Sequence, residues 1–119
     1  IKGKNDGDVG SASIISGEVI IGKGCKIINS IIKGPTIIDS GTIITDSNIA
    51  SFSSVGKNCI INNSNIESSI IMEGCELKGV DKNIKSSLLG KNVKVINSNP
   101  KLNSTTLLLG DHSYIEITD

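Results

Sequence analysis

Aliphatic residues recur along this chain at a countable pitch. Ile21, Ile27 and Ile32 are followed by Ile38, Ile44 and Ile49, and then by Val55, Ile61 and Ile66. The steps run six, six, five, so each trio returns after 17 residues. Gly24 and Gly41 keep the same beat, as do Asn29-Ser30, Asp46-Ser47 and Asn63-Ser64. A fixed short period constrains architecture more than any local propensity does. One aliphatic residue per hexapeptide step predicts an all-β chain wound as a single-stranded parallel β-helix, three short strands to a coil.

The register extends both ways. Val9 and Ile15 lead into Ile21, and beyond Ile66 the steps of five, six, seven, five and six reach Ile71, Leu77, Ile84, Leu89 and Val95. The sevenfold step holds Gly79-Val80-Asp81-Lys82-Asn83 and predicts a small loop at one corner. About five coils are therefore expected over residues 9–96. Residues 1–8 read as a linker, and a chain that begins with Ile1 rather than Met is expected to be a piece of something longer or a processed product. Residues 97–119 break the period. Ser98-Asn99-Pro100 is a turn signal, and Thr105–Leu109 and Tyr114–Ile117 read as strands around Gly110-Asp111-His112-Ser113. A solenoid end needs a cap, and this tail is the expected C-terminal β cap. No comparable segment stands at the N-terminal end, which is expected to need cover from upstream sequence.

The composition suits this architecture. The chain is 37% hydrophobic but only 2% aromatic. Its interior must therefore be built from Ile, Val and Leu, while a globular core leans on aromatic area. Disordered chains lack such hydrophobic content. Twelve Lys balance twelve acidic residues, with no Arg. A neutral chain without guanidinium groups argues against nucleic-acid binding and phosphate clamping. No apolar run approaches the ~18 residues of a membrane span, and no secretory signal is visible. A cytoplasmic location is expected.

Inward aliphatics have aliphatic neighbours, as in Ile27-Ile28, Ile37-Ile38, Ile43-Ile44, Ile60-Ile61 and Ile70-Ile71. Successive strand residues point to opposite faces, so one member of each pair is expected outside. Contiguous outward Ile would form apolar strips that meet another surface, either another copy of the chain or a neighbouring domain.

Three cysteines could suggest a metal or a disulfide. Cys25, Cys59 and Cys75 each stand four residues after a core position, where Thr42 stands in the intervening coil. This predicts a column of small buried residues with free thiols acting as small hydrophobes. Zinc needs four convergent ligands, often including His, and the spacing offers none. A Cys59–Cys75 bridge is compatible with the strand spacing, yet buried reduced thiols are expected. His112 is the lone histidine and reads as an exposed turn residue. Lys23, Lys26, Lys57, Glu73, Glu76, Lys91 and Lys94 fall at corners and outward positions and are expected to be solvated. No catalytic, cofactor-binding or metal-ligating residue is assigned.

Three stretches carry a resemblance: Ile32-Lys-Gly-Pro-Thr-Ile-Ile38, Ser69-Ile-Ile-Met-Glu-Gly-Cys75 and Val80-Asp-Lys-Asn-Ile-Lys-Ser-Ser-Leu-Leu-Gly90. With Gly110-Asp-His-Ser-Tyr-Ile-Glu-Ile117 they resemble the C-terminal domain of the long-form glucose-1-phosphate thymidylyltransferases, sugar-phosphate nucleotidyltransferases. The resemblance covers about residues 9–119 and implies a left-handed coil, a hand that periodicity alone does not give. It also implies a parent enzyme that joins glucose-1-phosphate to dTTP with Mg²⁺ and releases pyrophosphate. That chemistry would lie in an N-terminal catalytic domain, whose Gly-rich nucleotide loop matches nothing here. No cofactor is expected in this chain. Its expected partners are that catalytic domain and further copies of itself, with no nucleic acid and no membrane. Two alternatives stay open: a hexapeptide-repeat acyltransferase that uses a CoA thioester with His112 as general base, and a structural β-solenoid without an enzymatic parent.

Overall fold

A computed structural model describes residues 3–80, 82–97 and 109–116. Among these residues there is no helix; every regular element is a strand of two or three residues. The first coil holds β1 (Lys4–Asn5), β2 (Asp8–Val9) and β3 (Ile14–Ser16). The second holds β4 (Val19–Ile21), β5 (Lys26–Ile28) and β6 (Ile31–Lys33), and the third β7 (Thr36–Ile38), β8 (Ile43–Thr45) and β9 (Asn48–Ile49). The fourth holds β10 (Ser53–Val55), β11 (Ile60–Asn62) and β12 (Asn65–Glu67). The fifth holds β13 (Ile70–Ile71), β14 (Glu76–Lys78) and β15 (Asn83–Lys85), and β16 (Leu88–Leu89) and β17 (Lys94–Ile96) begin the sixth.

Stacking these coils makes three parallel sheets. The first face runs β1-β4-β7-β10-β13-β16, the second β2-β5-β8-β11-β14-β17 and the third β3-β6-β9-β12-β15. The fold is a parallel β-solenoid of about five turns, as the hexapeptide pitch predicts. The register is that of the counted repeat: Ile21 lies beside Ile38, Ile44 beside Ile61, and Ile49 beside Ile66. In the middle coils these side chains are wholly buried. Branched aliphatics suit this interior because they pack stiffly against like neighbours above and below.

The corners follow from backbone sterics. Each turn between faces needs a residue near the left-handed region, which Gly, Asn and Asp tolerate best. Between the first and second faces that place is held by Gly24, Gly41, Asn58, Gly74 and Asn92, and between the second and third by Asn29, Asp46, Asn63 and Gly79. Between the third and first faces it is held by Gly17, Phe52, Ser68 and Ser86. In the third coil, the Gly34–Pro35 peptide at this corner is cis.

Four expectations need correction or bounding. The stretch read as a linker is wound into the solenoid, since Lys4 and Asn5 pair with Ile20 and Ile21, and Asp8 and Val9 with Lys26 and Ile27. Its glycines serve close packing: a Cβ on Gly7 would lie 2.9 Å from Ile21 Cγ2 and 3.0 Å from Cys25 Cβ. At the N-terminal end Asn5 stands in the row that Ile21 continues, while Ile15 in the core row of the first coil is still 37% exposed. The expected corner loop is shorter than residues 79–83, because Asn83 already pairs with Asn65 in β12, and Asp81 lies outside the described residues. Of the C-terminal cap, Tyr114–Glu116 forms no strand, and 98–108 and 117–119 lie outside the described residues.

Candidate interaction surface

The small inward positions at the corners form the column that the cysteine spacing predicts. Cys25, Thr42, Cys59 and Cys75 are at most 1% exposed, and the three thiols are free. Each sulfur donates to a carbonyl of the following coil: Cys25 to Asp39 at 2.9 Å, Cys59 to Met72 at 3.2 Å and Cys75 to Gly90 at 3.0 Å. Burial pushes the Cys59 and Cys75 thiols up from their ordinary value, beyond what the neighbouring amides offset. A protonated, enclosed thiol is a poor nucleophile. A second buried column is not foreshadowed by the aliphatic count: Ser30, Ser47 and Ser64 lie inside the corner whose outside carries Asn29, Asp46 and Asn63.

His112 lies exposed in a turn, where Ser113 Oγ donates to the Gly110 carbonyl at 2.7 Å. A general base needs a partner that orients its ring toward a substrate, and this exposed turn supplies no cleft for one. Among the described residues, no three His, Cys, Asp or Glu side chains converge on a point. Among the described residues no helix is long and apolar enough to cross a membrane. Some edge charges are paired, within a strand or with the next coil. Lys91 reaches Glu73 at 3.2 Å, while Glu76 accepts from Lys78 at 2.8 Å and faces Lys94 at 3.8 Å. The Lys78 hydrogen bond, helped by the charges of Lys78 and Lys94, holds the Glu76 carboxyl below its ordinary value.

With the inward positions packed, the outer faces are left. Each Ile pair splits as expected: Ile28, Ile37, Ile43, Ile60 and Ile70 are exposed beside buried partners. The three faces differ once the rows are followed. On the second face, Ile43 and Ile60 are neighbours bounded by Lys26 and Glu76. On the third, Ile14 and Ile31 give way to Asn48, Asn65 and Asn83. There the amides and Asp46 line an open groove of about 800 Å³, and Asn29 Nδ2 donates to Asp46 Oδ1 at 2.7 Å. The first face has the row with most aliphatic residues: Ile20, Ile37, Ser54, Ile70 and Leu88, bounded by Lys4 in the first coil.

Phe52 stands at the margin of that row, outside the periodic pattern. Its φ is 63° and its side chain is 72% exposed. Beside it, Glu18, Ile20, Pro35, Thr36, Ile37 and Ser53 complete a shallow cleft of about 370 Å³. The signal that marks it in the sequence is positional: Phe52 occupies the corner place that Pro35 holds in the preceding coil and Ser68 and Ser86 in the next two.

Fold and surface together define a hexapeptide-pitch β-solenoid with aliphatic side chains turned outward on its first face. No family model matches the chain. It is similar to two proteins named glucose-1-phosphate thymidylyltransferase. One, from Streptomyces antibioticus, is 42% identical over 112 residues, which cover 94% of this chain and 31% of the relative. The other, from Streptomyces griseus, is 35% identical over 113 residues, which cover 95% and 32%. The resemblance carried by the sequence motifs is thereby borne out, and the chain spans about a third of the length of the curated relatives it matches.

Proposed function

We propose that this chain is the C-terminal left-handed β-helix of a glucose-1-phosphate thymidylyltransferase, a domain for scaffolding and assembly. Near-complete alignment of the chain with a third of each relative carries this reading. The first-face apolar row supports an assembly role, because long uncharged strips on a solenoid face are suited to contact. In this reading the nucleotidyl transfer belongs to an N-terminal catalytic domain, whose product would be dTDP-glucose.

The test is an assay of the purified chain with glucose-1-phosphate, dTTP and Mg²⁺. No dTDP-glucose is expected, and turnover by the chain alone would overturn the reading. Calorimetry with coenzyme A supplies a second arm, with no binding expected. Binding of coenzyme A would instead move the chain to the hexapeptide acyltransferases.

A further inference from the structure

We infer that the first face is a two-fold contact between copies of this chain, with Phe52 of each copy seated in the cleft beside Pro35 and Ile37 of the other. The inference rests on the assembly reading above, and its test reads molecular size alone. Failure here therefore leaves the turnover result untouched.

The coil itself gives no reason for an aromatic ring at residue 52. Equivalent places take Pro35, Ser68 and Ser86, and a bulky residue with positive φ, as Phe52 has, is an outlier. Such outliers persist where the residue serves a purpose beyond the fold. The ring is the largest exposed apolar group on this side, and aromatic groups that fill a partner's pocket dominate association energies. The concavity that would receive it is centred on Pro35, one coil away, with Ile20 and Ile37 as its apolar lining, Glu18 at its edge and Phe52 of the same copy as one wall.

A knob and a hole one coil apart on one surface satisfy a two-fold axis. That axis lies along the strand direction, between Ile37 of the third coil and Ser54 of the fourth. It reverses the coil order of the second copy, so the third coil faces the fourth and the second faces the fifth. Phe52 then meets the other copy's Pro35 beside Ile37, Ile20 meets its Ile70, and Leu88 lies over the aliphatic stem of its Lys4. Self-complementarity of this kind defines an isologous interface.

Charges at the rim agree with the same axis. Lys23 follows the second-coil strand and Glu73 the fifth-coil strand, at the corner between the first and second faces. The axis sets Lys23 of each copy against Glu73 of the other, whose carboxylate Lys91 of its own chain also approaches at 3.2 Å. Asp39, after the third-coil strand, likewise faces Lys57, after the fourth. Ile37, Phe52, Ile70 and Leu88 are 42%, 72%, 53% and 67% exposed. With their neighbours they offer on the order of 500 Å² of apolar surface, the size of a functional patch. A polar rim brings this toward the ~800 Å² per partner of a standard interface.

Sedimentation equilibrium of the chain at concentrations up to about 100 µM tests this. A reversible dimer is expected. Phe52→Asn, which suits the corner backbone, and Ile37→Lys should each weaken it by at least about tenfold. Ile60→Lys, on the second face, should leave it unchanged. Lys23→Glu and Glu73→Lys should each weaken it about fivefold, and the double exchange should restore it. A monomer throughout, a dimer indifferent to the first-face variants, or a double exchange no better than either single would overturn the inference. Circular dichroism establishes that each variant is folded.

Discussion

The backbone amide of Ser64 donates to the hydroxyl of Ser47 at 3.1 Å, one coil below it. The same hydroxyl donates to the Thr45 carbonyl at 2.8 Å. The arrangement repeats up the corner: Ser13 receives the Ser30 amide, Ser30 the Ser47 amide and Ser64 the Val80 amide. A short corner cannot pair all its amides with carbonyls, so the serines complete a hydrogen-bond ladder inside the wall. Among the described residues, no buried side-chain nitrogen or oxygen lacks a partner.

Ser47→Ala removes one rung and leaves a buried N–H without an acceptor. We expect a loss of about 1–3 kcal/mol, the desolvation cost of an unpaired buried group. The urea midpoint measures it, with Ser40→Ala at the neighbouring corner as a comparison. An unchanged midpoint for Ser47→Ala would show that the hydroxyl ladder contributes nothing to stability.

Glycines at the corner between the first and second faces are there because successive coils approach closely. A Cβ on Gly22 would lie 2.7 Å from Ser40 N, and one on Gly56 would lie 2.6 Å from Glu73 N. Both obstacles are backbone, so neither yields by a rotamer change. We expect Gly56→Ala to cost about 1–3 kcal/mol through forced coil separation. At Gly90, the equivalent place two coils further on, no described atom lies within 4 Å of the added Cβ. Gly90→Ala should be neutral or slightly stabilising, by restricting the unfolded chain. Equal thermal shifts for the two variants would contradict this account.

The interior was legible because a strand-and-corner unit of fixed length writes its period into the chain. Ile21, Ile38 and Val55 could be stacked by counting, and the Cys25–Thr42–Cys59–Cys75 column followed from the same count. Glycine was ambiguous. Gly3, Gly7 and Gly10 have the composition of a flexible linker, but here they let the first coil approach the second. Composition does not distinguish a residue free to move from one with no room for a side chain. The outward pairs were legible as pairs, yet the first face emerges only when rows are followed across coils. Ser54 interrupts that row without charging it, whereas Glu76 and Asn48 end the other two. Phe52 was hidden by its rarity, since a lone aromatic contributes nothing to a periodic pattern.

Thiol chemistry should follow burial. Cys59 and Cys75 are enclosed and hydrogen-bonded, and desolvation raises their pKa and so suppresses the thiolate. We expect alkylation by iodoacetamide in native buffer at pH 8 to run at least about tenfold slower than in unfolding urea, because the thiolate is the reacting form. Mass spectrometry of peptides containing Cys59 and Cys75 reports each site. Rapid native labelling at either would place that corner in contact with solvent.

The Glu76 carboxylate links stability to pH. Its ionisation is favoured, first by the Lys78 hydrogen bond and then by the charges of Lys78 and Lys94, so its pKa lies below the ordinary value. A carboxyl with a depressed folded value binds its proton more weakly in the native state than in the unfolded chain. Its contribution is therefore complete above the ordinary carboxylate range and is lost as pH falls through the lower folded value. Glu76→Gln removes the titration, leaving Lys78 and Lys94 without their shared anion. We expect the urea midpoints of wild type and Glu76→Gln to differ most near pH 7 and to converge toward pH 3. Added salt should shrink the neutral-pH difference, since this pair is solvent-facing and screened. A difference that stays constant across that pH range would mean that the glutamate acts by packing, with its charge irrelevant.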